Sequence, residues 1–369
     1  MASSKIFICL LIAIHVCSVL SLHSTESDPS CLTPTNKAGN CVAIERCRNI
    51  LAIVRSKKPP KQSVQNYIKG ANCTLPGVAR SVCCQPKEVV RRRNLLPENC
   101  GNIVHQKMAE GNQTEPFQYP WMVVLQYSKN GAQRDSCGGS LINNRYVLTA
   151  AHCMQARDGW MLSKVRLGEQ DKSKEIDCIV YSNGEKSCAD PPVDVAIEST
   201  VVHSQYNPSK LLHDIALIRM VHYVEFSYSI QPICLPVRQD VRNLSLQKYI
   251  VTGWGMTEKL VPSDVLLQAI MDSVAIPECQ RTITKRANRA RPINLSEKYQ
   301  MCAEGKDHVA ACEGDSGSPL GFNVRNVEAR FVQFGIVSVG ANNCGERSIP
   351  EVYTRVSSYM DWIIENMHP

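Results

Sequence analysis

Apolar and polar positions divide the chain into stretches of different character. Downstream of Lys107, short apolar runs recur between Gly, Pro and Asn turns. They are Trp121-Met122-Val123-Val124-Leu125, Ser140-Leu141-Ile142, Tyr146-Val147-Leu148-Thr149, Ile215-Ala216-Leu217-Ile218, Tyr249-Ile250-Val251-Thr252 and Phe331 to Val339. Runs of this length and spacing predict the strands of an all-β barrel or sandwich. The tail breaks the rhythm: Met360, Ile363, Ile364 and Met367 recur at i, i+3, i+4, i+7, which predicts one amphipathic helix packed on the body. Upstream, residues 31–84 carry few large apolar side chains but six cysteines, Cys31, Cys41, Cys47, Cys73, Cys83 and Cys84. Such a unit needs covalent staples in place of a large core. Between the two, residues 85–107 are polar, basic and proline-containing, and read as a linker.

The first 21 residues form a separate unit. Lys5 precedes the apolar run Ile6 to Ile14, and the small residues Ser18 and Ser21 follow. This predicts a secretory signal peptide over 1–21, too short to span a bilayer. No other stretch is long and apolar enough to cross, so a soluble, secreted, extracellular product is expected, with no membrane partner. Of 18 cysteines, Cys9 and Cys17 fall in the signal, and the remaining even number in an oxidising route predicts eight disulfides. Sequons at Asn72, Asn112, Asn243 and Asn294 predict N-glycosylation in that route. The net charge of +7 is too mild for a nucleic-acid partner. The basic clusters Arg91-Arg92-Arg93 and Lys285-Arg286 with Arg289 and Arg291 read as an exposed linker and a solvated loop.

Candidate chemistry centres on Gly314-Asp315-Ser316-Gly317. The glycines permit a tight turn that projects a hydroxyl and gathers N–H groups for an oxyanion; ordinary turn chemistry is the competing reading. His152 lies in Thr149-Ala150-Ala151-His152-Cys153, and Asp214 precedes the run Ile215 to Ile218. Histidine, aspartate and serine in that order supply a base, a buried acid to orient it, and a nucleophile.

These residues, with Pro120-Trp121, Cys137-Gly138-Gly139-Ser140-Leu141, Thr252-Gly253-Trp254-Gly255 and Val352-Tyr353-Thr354-Arg355-Val356, resemble the chymotrypsin-like (trypsin-fold) serine proteases from Lys107 to the C-terminus. The six-cysteine unit with its terminal Cys83-Cys84 resembles the clip domain of arthropod serine proteases. Together they resemble a clip-domain serine protease. The resemblance implies a mainly β, two-barrel protease domain over 108–369 with a C-terminal helix, preceded by a disulfide-rich clip domain over 31–84.

It further implies that Ser316 is the nucleophile, His152 the general base, Asp214 its orienting acid, and the N–H groups of Gly314 and Ser316 the oxyanion hole. The implied bridges are Cys31–Cys83, Cys41–Cys73, Cys47–Cys84, Cys137–Cys153, Cys279–Cys302 and Cys312–Cys344. Cys178–Cys188 would close a surface loop, and Cys100 is left to pair with Cys234. A zymogen of this family is cut after a basic residue, here Lys107, and the new amino terminus at Met108 pairs with Asp315. Met108-Ala109-Glu110-Gly111 departs from the usual Ile-Val-Gly-Gly, with Glu110 where glycine is expected.

The primary pocket implied by the resemblance involves Ala310, Ser338, Gly340 and Glu351. Ala310 stands where trypsin-like relatives carry aspartate, and Glu351 where a wall glycine is usual. Val339 replaces the more usual tryptophan. Glu351 turned outward to solvent is one reading. Turned inward, it gives mixed specificity, for Phe, Tyr or Leu and also for Lys or Arg. A similar pairing of alanine and glutamate occurs in cathepsin G. The acidic stretch Glu169-Gln170-Asp171, Glu175 and Asp177 lies where some relatives bind calcium, against the alternative of a solvated loop; no other cofactor is expected.

The expected function is an arthropod immune-cascade endopeptidase of the haemolymph. Its expected substrates are protease zymogens, prophenoloxidase or a Toll-pathway cytokine precursor, in melanisation or innate immunity, with an upstream activating protease and serpin inhibitors as further partners. The alternatives are a non-catalytic homologue acting as an adaptor, and a venom or digestive protease.

Overall fold

The computed structural model describes residues 28–368 apart from 55, 57–58, 76–79, 90–94, 104–112, 156–157, 258, 260, 287–293, 306–310, 325–328 and 340–348. The chain divides into two compact units that meet near residue 92.

The first unit is a small antiparallel sheet of β1 (Ser30–Leu32), β2 (Ala38–Ala43), β3 (Asn72–Cys73) and β4 (Ser81–Cys84), in the order β1-β2-β4-β3. Two short helices, Arg48–Val54 and Gln62–Gly70, lie between β2 and β3. Val42, Ile44, Ile50, Ala71 and Val82 make its core. So modest an apolar set is reinforced by three disulfides, Cys31–Cys83, Cys41–Cys73 and Cys47–Cys84. They close sequence separations of 52, 32 and 37 residues, each long enough to remove substantial freedom from the unfolded chain.

The second unit holds two closed six-stranded barrels. The first contains β5 (Met122–Lys129), β6 (Ala132–Leu141), β7 (Tyr146–Thr149), β8 (Met161–Leu167), β11 (Val193–Val202) and β12 (Ala216–Met220). A side hairpin of β9 (Cys178–Val180) and β10 (Lys186–Cys188) is pinned by Cys178–Cys188. The second barrel contains β13 (Lys248–Gly253), β14 (Leu267–Val274), β15 (Gln300–Gly305), β16 (Pro319–Val324), β17 (Arg330–Val339) and β18 (Glu351–Arg355). Closure leaves neither sheet with a free edge.

Local chemistry sets the register. Asn130 and Gly131 both take positive φ, 49° and 84°, between the paired residues Lys129 and Ala132. Two left-handed residues give the turn twist that matches a two-residue hairpin. The continuous apolar runs became β5, β7, β12, β13 and β17. β8 and β11 were not anticipated, because β11 buries only Val195 and alternates too weakly to stand out. The tail forms a short 3-10 turn, Val356–Tyr359, then the helix Met360–Asn366, with Met360, Ile363 and Met367 fully buried. Lys285 and Arg286 end a helix, Ile276–Arg286, instead of lying in a loop; Arg91 to Arg93, Arg289 and Arg291 lie outside the described residues.

The barrels are joined by side chains reaching across the seam. Trp121 stacks on Phe331 of β17 with centroids 5.0 Å apart, and Ser140 Oγ donates to Gln333 Oε1 at 2.6 Å. Cys100 is bonded to Cys234, and the neighbouring Gly101 donates its N–H to the Pro232 carbonyl and accepts from Phe331 N–H, both at 2.8 Å. The residues that precede the first barrel are thereby fastened to the second.

Candidate active site

His152 and Asp214 come from the first barrel and Ser316 from the second. His152 lies in the 3-10 turn Ala151–Met154 that follows β7, and the turn is anchored by Cys137–Cys153. Asp214 lies in the segment before β12 and is 3% exposed. Its Oδ1 accepts the backbone N–H of His152 at 2.9 Å, and its Oδ2 is 2.8 Å from His152 Nδ1. With Nδ1–H donating to the carboxylate, Nε2 is left as the acceptor. The acid therefore grips both the main chain and the ring of the base.

The second barrel completes this arrangement. Ser338 Oγ on β17 donates to Asp214 Oδ2 at 2.6 Å, and Thr354 Oγ1 on β18 donates to the Asp214 carbonyl at 2.8 Å. Ser338, expected in the substrate pocket, thus spends its hydroxyl on the acid. Thr354 carried no separate signal in the sequence, since a threonine within a strand looks like any other.

Ser316 sits between Gly314 and Gly317, whose φ values are 102° and 81°. Conformation and space both demand glycine at 317: a Cβ would lie 2.2 Å from Thr149 Oγ1 and 2.5 Å from the Gly138 carbonyl. The Ser316 carbonyl accepts from Gly138 N–H at 2.8 Å, which ties the serine loop to β6 of the other barrel. Asp315 N–H and Gly317 N–H donate to Cys312 and Val337 carbonyls. The N–H groups of Gly314 and Ser316 have no protein acceptor among the described residues. A small cavity of about 60 Å³ is lined by His152, Gly314 and Ser316, together with Tyr127, Trp160 and the Cys137–Cys153 bridge. The residues that carry the base, the hydroxyl and the two amides line one space.

Asp315 points the other way, into the protein. Its Oδ1 accepts Gly255 N–H and its Oδ2 accepts Cys312 N–H, both at 2.8 Å. Burial lifts the carboxyl to about 6, against the pull of those amides and of the more distant Lys172 ammonium. Gly253 and Gly255 wrap it so closely that a Cβ at either would clash, at 2.0 Å and 2.4 Å from its oxygens. Cys312 is disulfide-bonded. Its expected partner Cys344 lies outside the described residues, as do Ala310, Gly340, Lys107, Met108, Glu110 and the sequon residue Asn112.

Glu351, at the start of β18, is 2% exposed, so the solvent-facing reading does not hold. Tyr353 O–H donates to Oε2, while Oε1 has no hydrogen-bond partner among the described residues. Burial pushes the carboxyl far up, and the Asp315 charge adds to this; the Tyr353 hydroxyl and the Ala311 amide act in the opposite sense. Ala311 directly follows the residue expected at the pocket floor, so the carboxyl is turned toward that end of the barrel.

The acidic loop is not uniform. Glu169 Oε1 and Asp177 Oδ2 converge on one amide, Gln170 N–H, each at 3.1 Å. Both carboxyls are raised, chiefly by burial, with Arg166 partly offsetting the effect at Glu169. Asp171 is lowered: burial opposes this, but hydrogen bonds from Lys174 and Ser173 win. Glu175 is exposed. Two other groups of cysteine, histidine and acid, Cys137 with His152 and Cys153, and Cys47 with Cys84 and Glu88, are built on disulfides and offer no thiolate. The sequon residues Asn72, Asn243 and Asn294 are all exposed.

Gly255→Ala tests the cradle around Asp315. A Cβ there would lie 2.4–2.7 Å from three atoms of that side chain, so the acid and the serine loop must move. Labelling of Ser316 by a serine-directed phosphonate should fall at least about tenfold, since displacement by an ångström alone can cost more. Undiminished labelling of the folded variant would refute the role given to this packing.

Residues 108–363 match the family described as Trypsin, and residues 31–84 match the regulatory CLIP domain of proteinases. The chain is 35% identical over 357 residues to Serine protease ea of Drosophila melanogaster, covering 90% of this chain and 89% of that protein. It is 34% identical over 369 residues to Phenoloxidase-activating factor 1 of Holotrichia diomphalia, covering 95% and 97%. The crystal structure of the Drosophila Grass clip serine protease of the Toll pathway aligns at a TM-score of 0.65 and 33% identity, over 92% of this chain and 98% of that one. With both barrels, the cysteine-stapled unit and these likenesses together, the chain belongs to the clip-domain serine proteases, serine endopeptidases of the trypsin fold.

Proposed function

We propose that this chain is a secreted zymogen whose protease domain, once cut after Lys107, hydrolyses peptide bonds in protein substrates of an extracellular immune cascade. The observation that carries the chemistry is the double hold of Asp214 on His152 beside Ser316 and two unengaged amides. In this reading His152 Nε2 takes the Ser316 proton as Oγ attacks the scissile carbonyl. The Gly314 and Ser316 N–H groups receive the oxyanion, each worth about 3–4 kcal/mol. Asp214 keeps the imidazole in the productive tautomer and stabilises its cation. His152 then returns the proton to the leaving amine.

Activation acts through Asp315. An amine delivered at Met108 would give this buried carboxylate the ion-pair partner it lacks among the described residues. Removing one member of such a buried pair costs about 3–5 kcal/mol, enough to decide whether the adjacent Gly314-Ser316 turn forms. For primary specificity, alanine in place of the aspartate expected at position 310 would favour aromatic and leucine side chains, while the buried Glu351 would leave a carboxyl for lysine or arginine. Names of relatives support the biology: a phenoloxidase-activating factor, a melanization protease and a Toll-pathway protease all resemble this chain. On that ground we assign substrates among protease zymogens, prophenoloxidase or a cytokine precursor, an activating protease upstream and serpin control. Asn72, Asn243 and Asn294 would carry glycans.

Glu169 and Asp177 fit calcium. Two buried carboxylates meeting at one amide, both disfavoured as anions, are the oxygen donors a hard dication takes. Bound there, the ion would hold the loop that follows β8.

Three outcomes are expected. Lys107→Gln should leave the secreted protein inactive under conditions that activate the wild type; undiminished activity would refute cleavage at this site. On short amide substrates varying only the residue before the scissile bond, the activated enzyme should cleave after Phe and after Lys. Glu351→Gly should abolish cleavage after Lys while sparing that after Phe, and equal loss on both would sink the pocket assignment. Millimolar calcium should raise the melting temperature of the wild type and not of Glu169→Gln; equal shifts would remove calcium from this loop.

A further inference from the structure

Next to Asp214 lies a cluster of rings that the chemistry above does not use. His213, the residue before the acid, takes a left-handed conformation with φ 57°. For a non-glycine residue this geometry is uncommon, and histidine is among the few that tolerate it. Its imidazole is 7% exposed and lies flat on that of His203, with centroids 4.6 Å apart and planes 7° from parallel. His203 follows β11, and its N–H donates to the Ile215 carbonyl at 3.2 Å, just past the acid. His213 Nδ1 is 2.9 Å from the buried Tyr359 hydroxyl, in the turn that leads into the C-terminal helix. Tyr299 packs edge-on against His213 at 4.8 Å, and Trp362 lies tilted against His203 at 5.4 Å. Rings from four parts of the chain thus clamp the turn that presents Asp214.

We propose that His203 and His213 are positioning residues for the catalytic acid: as a neutral stacked pair they hold the left-handed turn carrying Asp214, and protonating the pair releases it. This rests on the reading of Asp214 as the orienting acid. A cation on either ring would face the other imidazole, the Tyr359 hydroxyl, and the Tyr299 and Trp362 rings. The other cationic group beside this cluster is Lys298, whose ammonium lies 4.9 Å over the Tyr299 ring. The nearest anion along the chain is Asp214 itself, whose oxygens are already committed to His152 and Ser338. Burial drives both imidazoles toward the neutral form, and at His203 the facing His213 adds to this. A lowered imidazole contributes stability that is present above its ordinary value of about 6.5 and lost as the pH falls through the lower folded value. The hold on Asp214 should therefore fail in acid.

The test is the acid limb of kcat/KM for the activated enzyme on a chromogenic peptide, with far-ultraviolet circular dichroism followed over the same range. Protonation of His152 alone gives a limb falling about tenfold per pH unit, and a second ionisation steepens it toward about a hundredfold. The wild type should show the steeper limb while its dichroism stays native. His213→Asn, which keeps a residue tolerant of the left-handed turn but cannot titrate, should return the limb to about tenfold. His203→Phe, which keeps a stacking ring, should do the same if the asparagine variant does not fold. A wild-type limb of only tenfold per unit would overturn the proposal, as would variant profiles superimposing on the wild type, or steepening that tracks loss of dichroism. No hydrolysis at any pH would instead remove the catalytic reading of Asp214, and this proposal with it.

Discussion

The carboxylate of Asp214 is where the two barrels meet chemically. It accepts from the main chain and ring of His152 on its own barrel and from Ser338 on the other, while Thr354 secures its carbonyl. Burying a charge is costly unless its lone pairs are satisfied, and here donors from both barrels satisfy them. The acid therefore works only if the seam is intact. The Trp121–Phe331 stack, the Ser140–Gln333 hydrogen bond and the Gly138 hold on the Ser316 carbonyl all serve that alignment. Catalytic geometry and barrel packing are one constraint.

A second buried acid works by opposite logic. Asp315 has two amides but no ion-pair partner among the described residues, and the glycines of Thr252-Gly253-Trp254-Gly255 are shaped around it. Where Asp214 is fully provided for, Asp315 carries an unmet electrostatic demand within one residue of the oxyanion amides. Such an imbalance suits a switch, since an incoming positive charge there changes the local energetics by several kcal/mol. The same Asp315 charge also helps push the buried Glu351 carboxyl up, after burial itself. In the proposed function, buried acidity on this side of the site serves both activation and selectivity.

Much of the site was legible in the chain. Glycine on both sides of Ser316, the histidine after a strand and the aspartate before another are dictated by local backbone needs, and local needs leave sequence marks. The apolar runs behind β5, β7, β12, β13 and β17 were readable for the same reason, as was the helix that buries Met360, Ile363 and Met367. Strands such as β11, with one buried side chain, left almost no pattern.

What only the folded chain decided are contacts between residues far apart in sequence. Ser338, expected in the substrate pocket, also donates to Asp214, and Thr354 joins it from a neighbouring strand. Glu351 proved buried, which hydrophobic spacing could not foretell because a single acid in a strand fits either face. The pairing of Glu169 with Asp177 at one amide, and the stacking of His203 on His213, likewise depend on how loops close over a barrel. Residue types and local periodicity determined the strands, the turn around the serine and the reactive groups. The orientation of each buried polar group was set by the partner that tertiary packing brought to it, since a buried hydrogen-bonding atom goes where it can be satisfied.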